Sequence, residues 1–261
     1  MNVTTVVNNA VALLDVRDVS MHYGGHAVVD NVSLQVQAGE AVGLVGSNGA
    51  GKTTLFKLIS GELALQHGDI LFEGAKLPTR VDARSRRGIG RTFQLVELFG
   101  GLSVLDHLLV SLQAHEHRQG PLRDLFRGGE TLPAERARCM DILTLCGLNA
   151  VADVPATSLS LGQRRAVELA RALVARPRLL LADEPSSGLD FEESIQLVQV
   201  IRRVRAETNL AVLLVDHDLA TVEAATERVI AMDAGRVISS GTYSEVVADP
   251  GVLQSWLGHS A

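Results

Sequence analysis

The chain has 261 residues, 46% apolar but only 3% aromatic, so a sizeable core must be built mainly from Leu, Val, Ile and Ala. A net charge of −6 lacks the basic footprint of a chain dominated by nucleic-acid affinity. Residues 1–10 (MNVTTVVNNA) lack the basic start and apolar run of a signal peptide, and no window reaches the ~18 uncharged apolar residues of a membrane span. The expected location is therefore the cytoplasm, with any membrane role exercised through partners.

In chain order, short β-rich runs come first: Val11 to Arg17, Val28 to Val36, and Ala41 to Val45. Val32, Leu34 and Val36 alternate as in a half-buried strand, whereas 41–45 is continuously apolar and enters a glycine-rich loop. Lys52 to Ser60 reads as a helix stopped by Gly61. A strand is expected over Gly88 to Phe93. Ser103 and Asp106 then open a helix in the manner of a capping box, running to about Gln113. Residues 115–133 are polar and punctuated by Gly and Pro, and a helix over Ala134 to Cys146 closes at Gly147.

This helical block, about 95–160, interrupts an otherwise α/β chain and reads as an inserted subdomain. Alternation then resumes. A helix with its apolar face on Ala166, Val167, Leu169, Ala170, Leu173 and Val174 ends before Pro177. Strands over Arg178 to Ala182 and Ala211 to Val215 flank a helix over Phe191 to Glu207. A hairpin over 228–239 turns at Ala234 and Gly235, and a small helical tail ends at Trp256, Leu257 and Gly258. The order implies a mainly parallel sheet with helices packed on it. Cys139 and Cys146 lie two helical turns apart, roughly 10 Å along the axis, too far for a disulfide.

Gly46, Ser47, Asn48, Gly49, Ala50, Gly51, Lys52 and Thr53 satisfy the phosphate-loop pattern, followed by Thr54, between an apolar strand and a helix. The glycines let backbone N–H groups converge on phosphate oxygens at the positive end of the helix. Lys52 is expected to reach the β- and γ-phosphates of ATP, and Thr53 to hold Mg²⁺. The apolar run 179–182 ends in Asp183 and Glu184. Asp183 is expected in the Mg²⁺ region, and Glu184 where it orients and polarises an attacking water. A strand ending in solvated acids is common in isolation; beside a phosphate loop it reads as catalytic.

Leu159, Ser160, Leu161, Gly162 and Gln163 alone would be a serine-capped helix start. In this order and spacing they resemble the signature of ABC ATPases. The same superfamily is matched by Gln94, by Ser186 to Asp190 after Glu184, and by His217 after the strand 211–215. Tyr23 stands where the family has an aromatic that stacks on adenine. The resemblance covers nearly the whole chain and implies an α/β phosphate-loop ATPase of the RecA-like kind. Its mainly parallel core carries an N-terminal antiparallel β subdomain and an inserted helical subdomain. One nucleotide-binding domain would span 11–258 after an N-terminal extension, 1–10. The family implies that Gln94 couples the γ-phosphate and Mg²⁺ to the helical subdomain, that Asp190 lies at a subunit interface, and that His217 contacts the γ-phosphate. It also implies head-to-tail pairing, with Ser160 and the start of the signature helix facing the γ-phosphate held by the other cassette. The chain departs from the pattern at Leu161, where glycine is common, and at Ala182, where a larger aliphatic is usual.

Within the superfamily, Val29 to Leu34, Gly90 to Gln94, the insert 115–133 and the ending 252–258 resemble the larger, LivG-type ATPase of importers of branched-chain amino acids or related amides and urea. That resemblance implies integral membrane permease subunits, an external substrate-binding protein, and a second cassette that is a shorter paralogue or a second copy of this chain. ATPases of lipopolysaccharide export share much of this branch and rank behind. ABC ATPases of DNA repair or translation carry heptad coiled coils or paired cassettes, and neither is present here. His115 and His117 do not share a helix face. The arginines at 84, 86, 87 and 91 read as a solvated face or a contact to a membrane partner, not to nucleic acid.

Overall fold

The computed structural model describes residues 11–92, 98–116 and 133–258. Strand β1 (Leu14–Tyr23) turns through Gly24 and Gly25 into β2 (His26–Val36), a two-residue hairpin of the kind glycine pairs favour. β1 also pairs antiparallel with β4 (His67–Phe72), which pairs with β5 (Ala75–Lys76). Among the described residues this forms a four-stranded sheet in the order β2-β1-β4-β5. β1 runs six residues beyond the expected end at Arg17. Asp18 adopts a left-handed conformation (φ 49°), shifting the pairing register there, so buried Val19 and Met21 escape simple alternation with the residues before them.

The second sheet has the order β10-β9-β3-β8-β7-β6. Its strands are β3 (Ala41–Gly46), β6 (Ile89–Arg91), β7 (Leu179–Asp183), β8 (Ala211–Val215), β9 (Arg228–Asp233) and β10 (Arg236–Gly241). All neighbours are parallel except the hairpin β9–β10. The period of two explains the continuous apolar runs. Leu179, Leu181, Leu213 and Val215 enter a core shared with the antiparallel sheet and helix α1 (Lys52–Ser60). Leu180, Ala182, Val212 and Leu214 enter the core beneath the helices on the other face.

That second core joins α3 (Val104–Glu116), α4 (Pro133–Leu145), α5 (Leu161–Leu173) and α6 (Phe191–Thr208) through Leu105, Leu108, Leu143, Val167 and Leu197. At 25 cal/mol per Å² such burial dominates the stabilisation. α3 opens as expected, with Asp106 N–H donating to Ser103 Oγ at 3.1 Å and Ser103 N–H to Asp106 Oδ2 at 3.1 Å. Cys139 and Cys146 are buried and reduced, and burial pushes their thiols up to about 11 and about 12. Ala182 is buried opposite Leu214 and borders a small cavity shared with Arg165 and Glu168. Elements too short to show a helical period in sequence are α2 (Val81–Arg86), α7 (Leu219–Ala225) and α8 (Tyr243–Val247); α9 (Pro250–Gly258) ends the described chain.

Candidate functional site

β3, an interior strand, delivers the glycine-rich loop at its C-terminal end, and α1 leads away from it. Gly46 (φ 151°) admits no side chain, because a Cβ would lie 2.2 Å from the Met232 carbonyl oxygen. At Gly51 (φ 96°) a Cβ would lie 2.4 Å from that of Val28. Both glycines are thus required by backbone packed against backbone, which lets the loop turn tightly into α1. α1 has no side-chain cap at its N-terminus; its first bond runs from Leu55 N–H to Gly51 C=O at 2.9 Å. The amides ahead of Leu55 are therefore the donors a helix start offers to an anion.

Lys52 is buried and folds back over the loop, its Nζ donating to the carbonyls of Gly46 (2.8 Å) and Ser47 (2.9 Å). Burial lowers the Lys52 pKa, opposed by the negative charges of Glu184 and Asp183. That coupling brings loop lysine and strand-end acids into one electrostatic neighbourhood. Asn48, Gly49 and Thr53 are exposed, Ala50 is buried, and Thr54 is half-buried behind them.

Asp183 closes β7 and is buried; its backbone N–H donates to Thr92 Oγ1 at 3.2 Å. Burial raises its pKa, opposed by Arg91, whose Nη2 lies 2.9 Å from Asp183 Oδ2. Arg91 also pairs with Glu62 and donates to Ser60 Oγ at 3.1 Å, tying β7 to the far end of α1. Glu184 is buried and adopts φ 48°. A non-glycine residue there costs of order 1–2 kcal/mol, and its surroundings must hold it in place. Its N–H donates to Val215 C=O at 2.8 Å, and its carboxylate Oε1 meets His217 Nε2 at 2.5 Å. Chain positions 33 residues apart thus converge because β7 and β8 are neighbours in register. His217 is exposed on its other side.

Ser160 caps α5, accepting from Gln163 N–H at 3.2 Å while the Gln163 side chain accepts from Ser160 N–H at 3.0 Å. Leu161 does not disturb this box: it is 38% exposed, and one of its methyls lies over Gly188. Gly162 N–H donates to Glu193 Oε1 at 3.2 Å, and Asp190 caps α6, accepting from Glu193 N–H at 2.8 Å. The signature helix and the segment 186–190 therefore form one cluster, joined through Glu193 and by Arg165 Nη2 donating to Ser187 C=O at 2.9 Å. Tyr23 lies apart from it at the tip of the β1–β2 hairpin, 47% exposed. Gln94 lies outside the described residues.

Several contributors were missed in sequence. Asp216 is buried between the two strand-end turns, accepting from Ser186 Oγ (2.7 Å), Ser186 N–H (3.1 Å) and Asp218 N–H (3.1 Å). The only available signal was a carboxylate directly after a fully apolar strand. Glu193 was readable as the third residue of a capping box begun by Asp190. The arginine run is a solvated face only in part: Arg86 and Arg87 are exposed, Arg86 paired with Asp82 at 3.1 Å, whereas Arg84 is buried and Arg91 half-buried in carbonyl and ion contacts.

A family model described as ABC transporter matches residues 29–187. The high-affinity branched-chain amino acid transport ATP-binding protein BraF of Pseudomonas aeruginosa is 32% identical over 253 residues, 95% of this chain and 98% of that protein. LivG of Escherichia coli K12, of the same description, is 33% identical over 254 residues with the same coverage. The lipopolysaccharide export system ATP-binding protein LptB of Escherichia coli K12 is 35% identical over 250 residues, again with that coverage. Among solved structures, the ADP conformation of an ATP-binding cassette of an ABC transporter has a TM-score of 0.83 at 27% identity, covering 95% of this chain and 99% of that one. A nucleotide-free cassette has a TM-score of 0.82 at 26% identity, covering 94% and 98%. The phosphate loop beside paired strand-end acids, the matched family model and relatives aligned over nearly their whole length agree: the chain belongs to the ABC transporter family, as an ATP-hydrolysing ATP-binding cassette.

Proposed function

We propose that this cassette energises import of a small solute such as a branched-chain amino acid. It would act from the cytoplasmic face of the membrane, bound there through permease subunits. The observation that carries the reading is the near full-length similarity to BraF and LivG, both branched-chain amino acid transport ATP-binding proteins. A second reading, the ATPase of a lipid exporter, draws on the comparable identity to LptB.

In this reading the amides of 46–54 and Lys52 hold the phosphates of ATP, and Tyr23 stacks on adenine. Thr53, Asp183 and Gln94 supply hydroxyl, carboxylate and amide oxygens, hard donors that suit Mg²⁺. Bound there, Mg²⁺ would neutralise charge on the phosphates. Glu184 orients the attacking water and His217 contacts the γ-phosphate, their pairing holding both side chains at one place. Ser160, Gly162, Gln163 and Asp190 act on nucleotide held by a second cassette, with the positive end of α5 turned to its phosphate. We read 11–258 as one cassette after the extension 1–10, in which the helical segment about 95–160 docks on the permease. No described helix is long and apolar enough to cross a membrane, which fits a subunit that reaches it through partners.

Affinity purification of the chain from its own membranes tests this. The importer reading expects a shorter second ATPase, two permease subunits and ATP hydrolysis stimulated by an amino-acid-loaded binding protein. Two copies of this chain with no second ATPase, stimulated by lipid instead, would overturn it in favour of export.

A further inference from the structure

Strands β7 and β8 end side by side, and each is followed by a turn that carries one member of the Glu184–His217 pair. β8 ends at Val215 and the chain leaves it through a bend at His217. Asp216 is buried there, while His217 is half exposed and meets Glu184. Inside, the Asp216 carboxylate meets three donors: Ser186 Oγ at 2.7 Å, Ser186 N–H at 3.1 Å and Asp218 N–H at 3.1 Å.

Ser186 belongs to the turn behind Glu184, in which Ser187 N–H donates to Glu184 C=O at 3.1 Å. Asp218 caps α7 through Ala220 N–H (3.1 Å) and holds Thr221 Oγ1 (2.7 Å), so the residue after His217 is anchored as well. One buried carboxylate thus grips both turns. The left-handed backbone of Glu184 needs such over-determined surroundings to persist.

We propose that Asp216 is a positioning residue for ATP hydrolysis: it splints the turn behind Glu184 to the turn carrying His217 and so sets the geometry of that pair. Asp216 touches neither nucleotide nor water in this role; it acts through Ser186 and through the backbone flanking His217. The inference rests on the reading of Glu184 and His217 as the water-orienting and phosphate-contacting residues.

Isosteric Asp216→Asn separates positioning from folding. In either orientation its amide leaves one of the two backbone N–H groups, of Ser186 or Asp218, facing an NH2 rather than an acceptor. Misplacement of catalytic groups by a fraction of an ångström is expected to lower kcat about tenfold. Equilibrium affinity for a fluorescent ATP analogue should stay within about twofold, because Lys52 and the phosphate loop are untouched. Ser186→Ala removes one hydrogen bond and should cost about fivefold in kcat, while Ser186→Thr, which keeps the hydroxyl, restores it. The double variant should be no slower than Asp216→Asn alone, since both break one splint.

All variants are measured as full-length chains, with thermal midpoints recorded in parallel. Asp216→Asn with wild-type kcat overturns the proposal, as does loss of kcat and affinity in equal proportion. If Asp216→Asn does not fold, the Ser186 pair decides: equal turnover of the Ala and Thr variants overturns it. Glu184→Gln is the control. Normal turnover by that variant would remove the underlying reading of Glu184, whereas an inactive Glu184→Gln beside a fully active Asp216→Asn refutes only the role of Asp216.

Discussion

Replacing Arg84 by Met is expected to destabilise the cassette more than any other change in the arginine run. Arg84 is only 4% exposed. Its Nη1 donates to the carbonyls of Leu58 and, at 2.8 Å, Ile59; its Nε donates to Pro78 C=O at 2.5 Å. Leu58 and Ile59 lie in the last turn of α1, whose carbonyls have no partner within the helix. The guanidinium therefore completes the helix end and sets a positive charge against its negative pole. Met preserves the length of the stem but takes the donor from two buried carbonyls, of Leu58 and Ile59, and from the half-buried one of Pro78. Hydrogen bonds to a charged group contribute about 1.5 kcal/mol or more each, partly offset by release of the guanidinium from a buried place, so the net loss is about 3 kcal/mol. For a chain of this size that corresponds to a fall in thermal midpoint of about 6–12 °C. The assay is thermal unfolding followed by circular dichroism, with Arg86→Met as comparison. Arg86 lies in an exposed pair with Asp82 and should shift the midpoint by less than about 2 °C. Equal midpoints for the two variants would refute the capping role of Arg84 and restore the picture of a uniformly solvated basic face.

Two further outcomes concern the site. Glu184→Gln is expected to lower kcat by about 10²–10⁴ while ATP still binds, trapping ATP-bound pairs detectable by size-exclusion chromatography; near-normal hydrolysis would sink the role of Glu184. Lys52→Ala should instead weaken nucleotide binding itself, about tenfold or more by fluorescence titration, and unchanged affinity would speak against its contact to phosphate. In a preparation whose self-pairing is verified by sedimentation, equal amounts of Lys52→Ala and Ser160→Arg chains should regain about a quarter of the wild-type rate. Random pairing makes about half of the dimers mixed, each with one intact site of two. No recovery in verified mixed dimers would mean that each site is complete within one subunit.

Local chemistry made much of this molecule legible before folding. The phosphate loop declares itself because its glycines, Lys52 and Thr53 stand at fixed spacing in consecutive sequence, although the backbone that bars side chains at Gly46 and Gly51 belongs to the distant Met232 and Val28. Strands β3, β7 and β8 were visible because strands covered on both faces are apolar throughout, and α5 because its apolar face recurs at helical spacing behind a serine cap at Ser160, while the capping box at Asp190 was equally local but went unread. Family resemblance then assigned Glu184 and His217 to one site although they lie 33 positions apart. Periodicity alone could not have joined them.

Tertiary structure alone decided which polar residues are partners. Arg84 and Arg91 look like neighbours in one basic run, yet one completes α1 and the other holds Asp183 against Glu62. Asp18 lies where the pairing register of β1 shifts, so a strand that seems to end at Arg17 continues to Tyr23. Asp216 reads as a polar residue after a strand, and only the adjacency of β7 and β8 reveals Ser186 against it. Propensity, capping and hydrophobic period act over a few residues and are written in consecutive letters. The partner of a buried charge is chosen by strand order and packing across the whole chain, so a charged side chain bound for the interior looks the same in sequence as one bound for water.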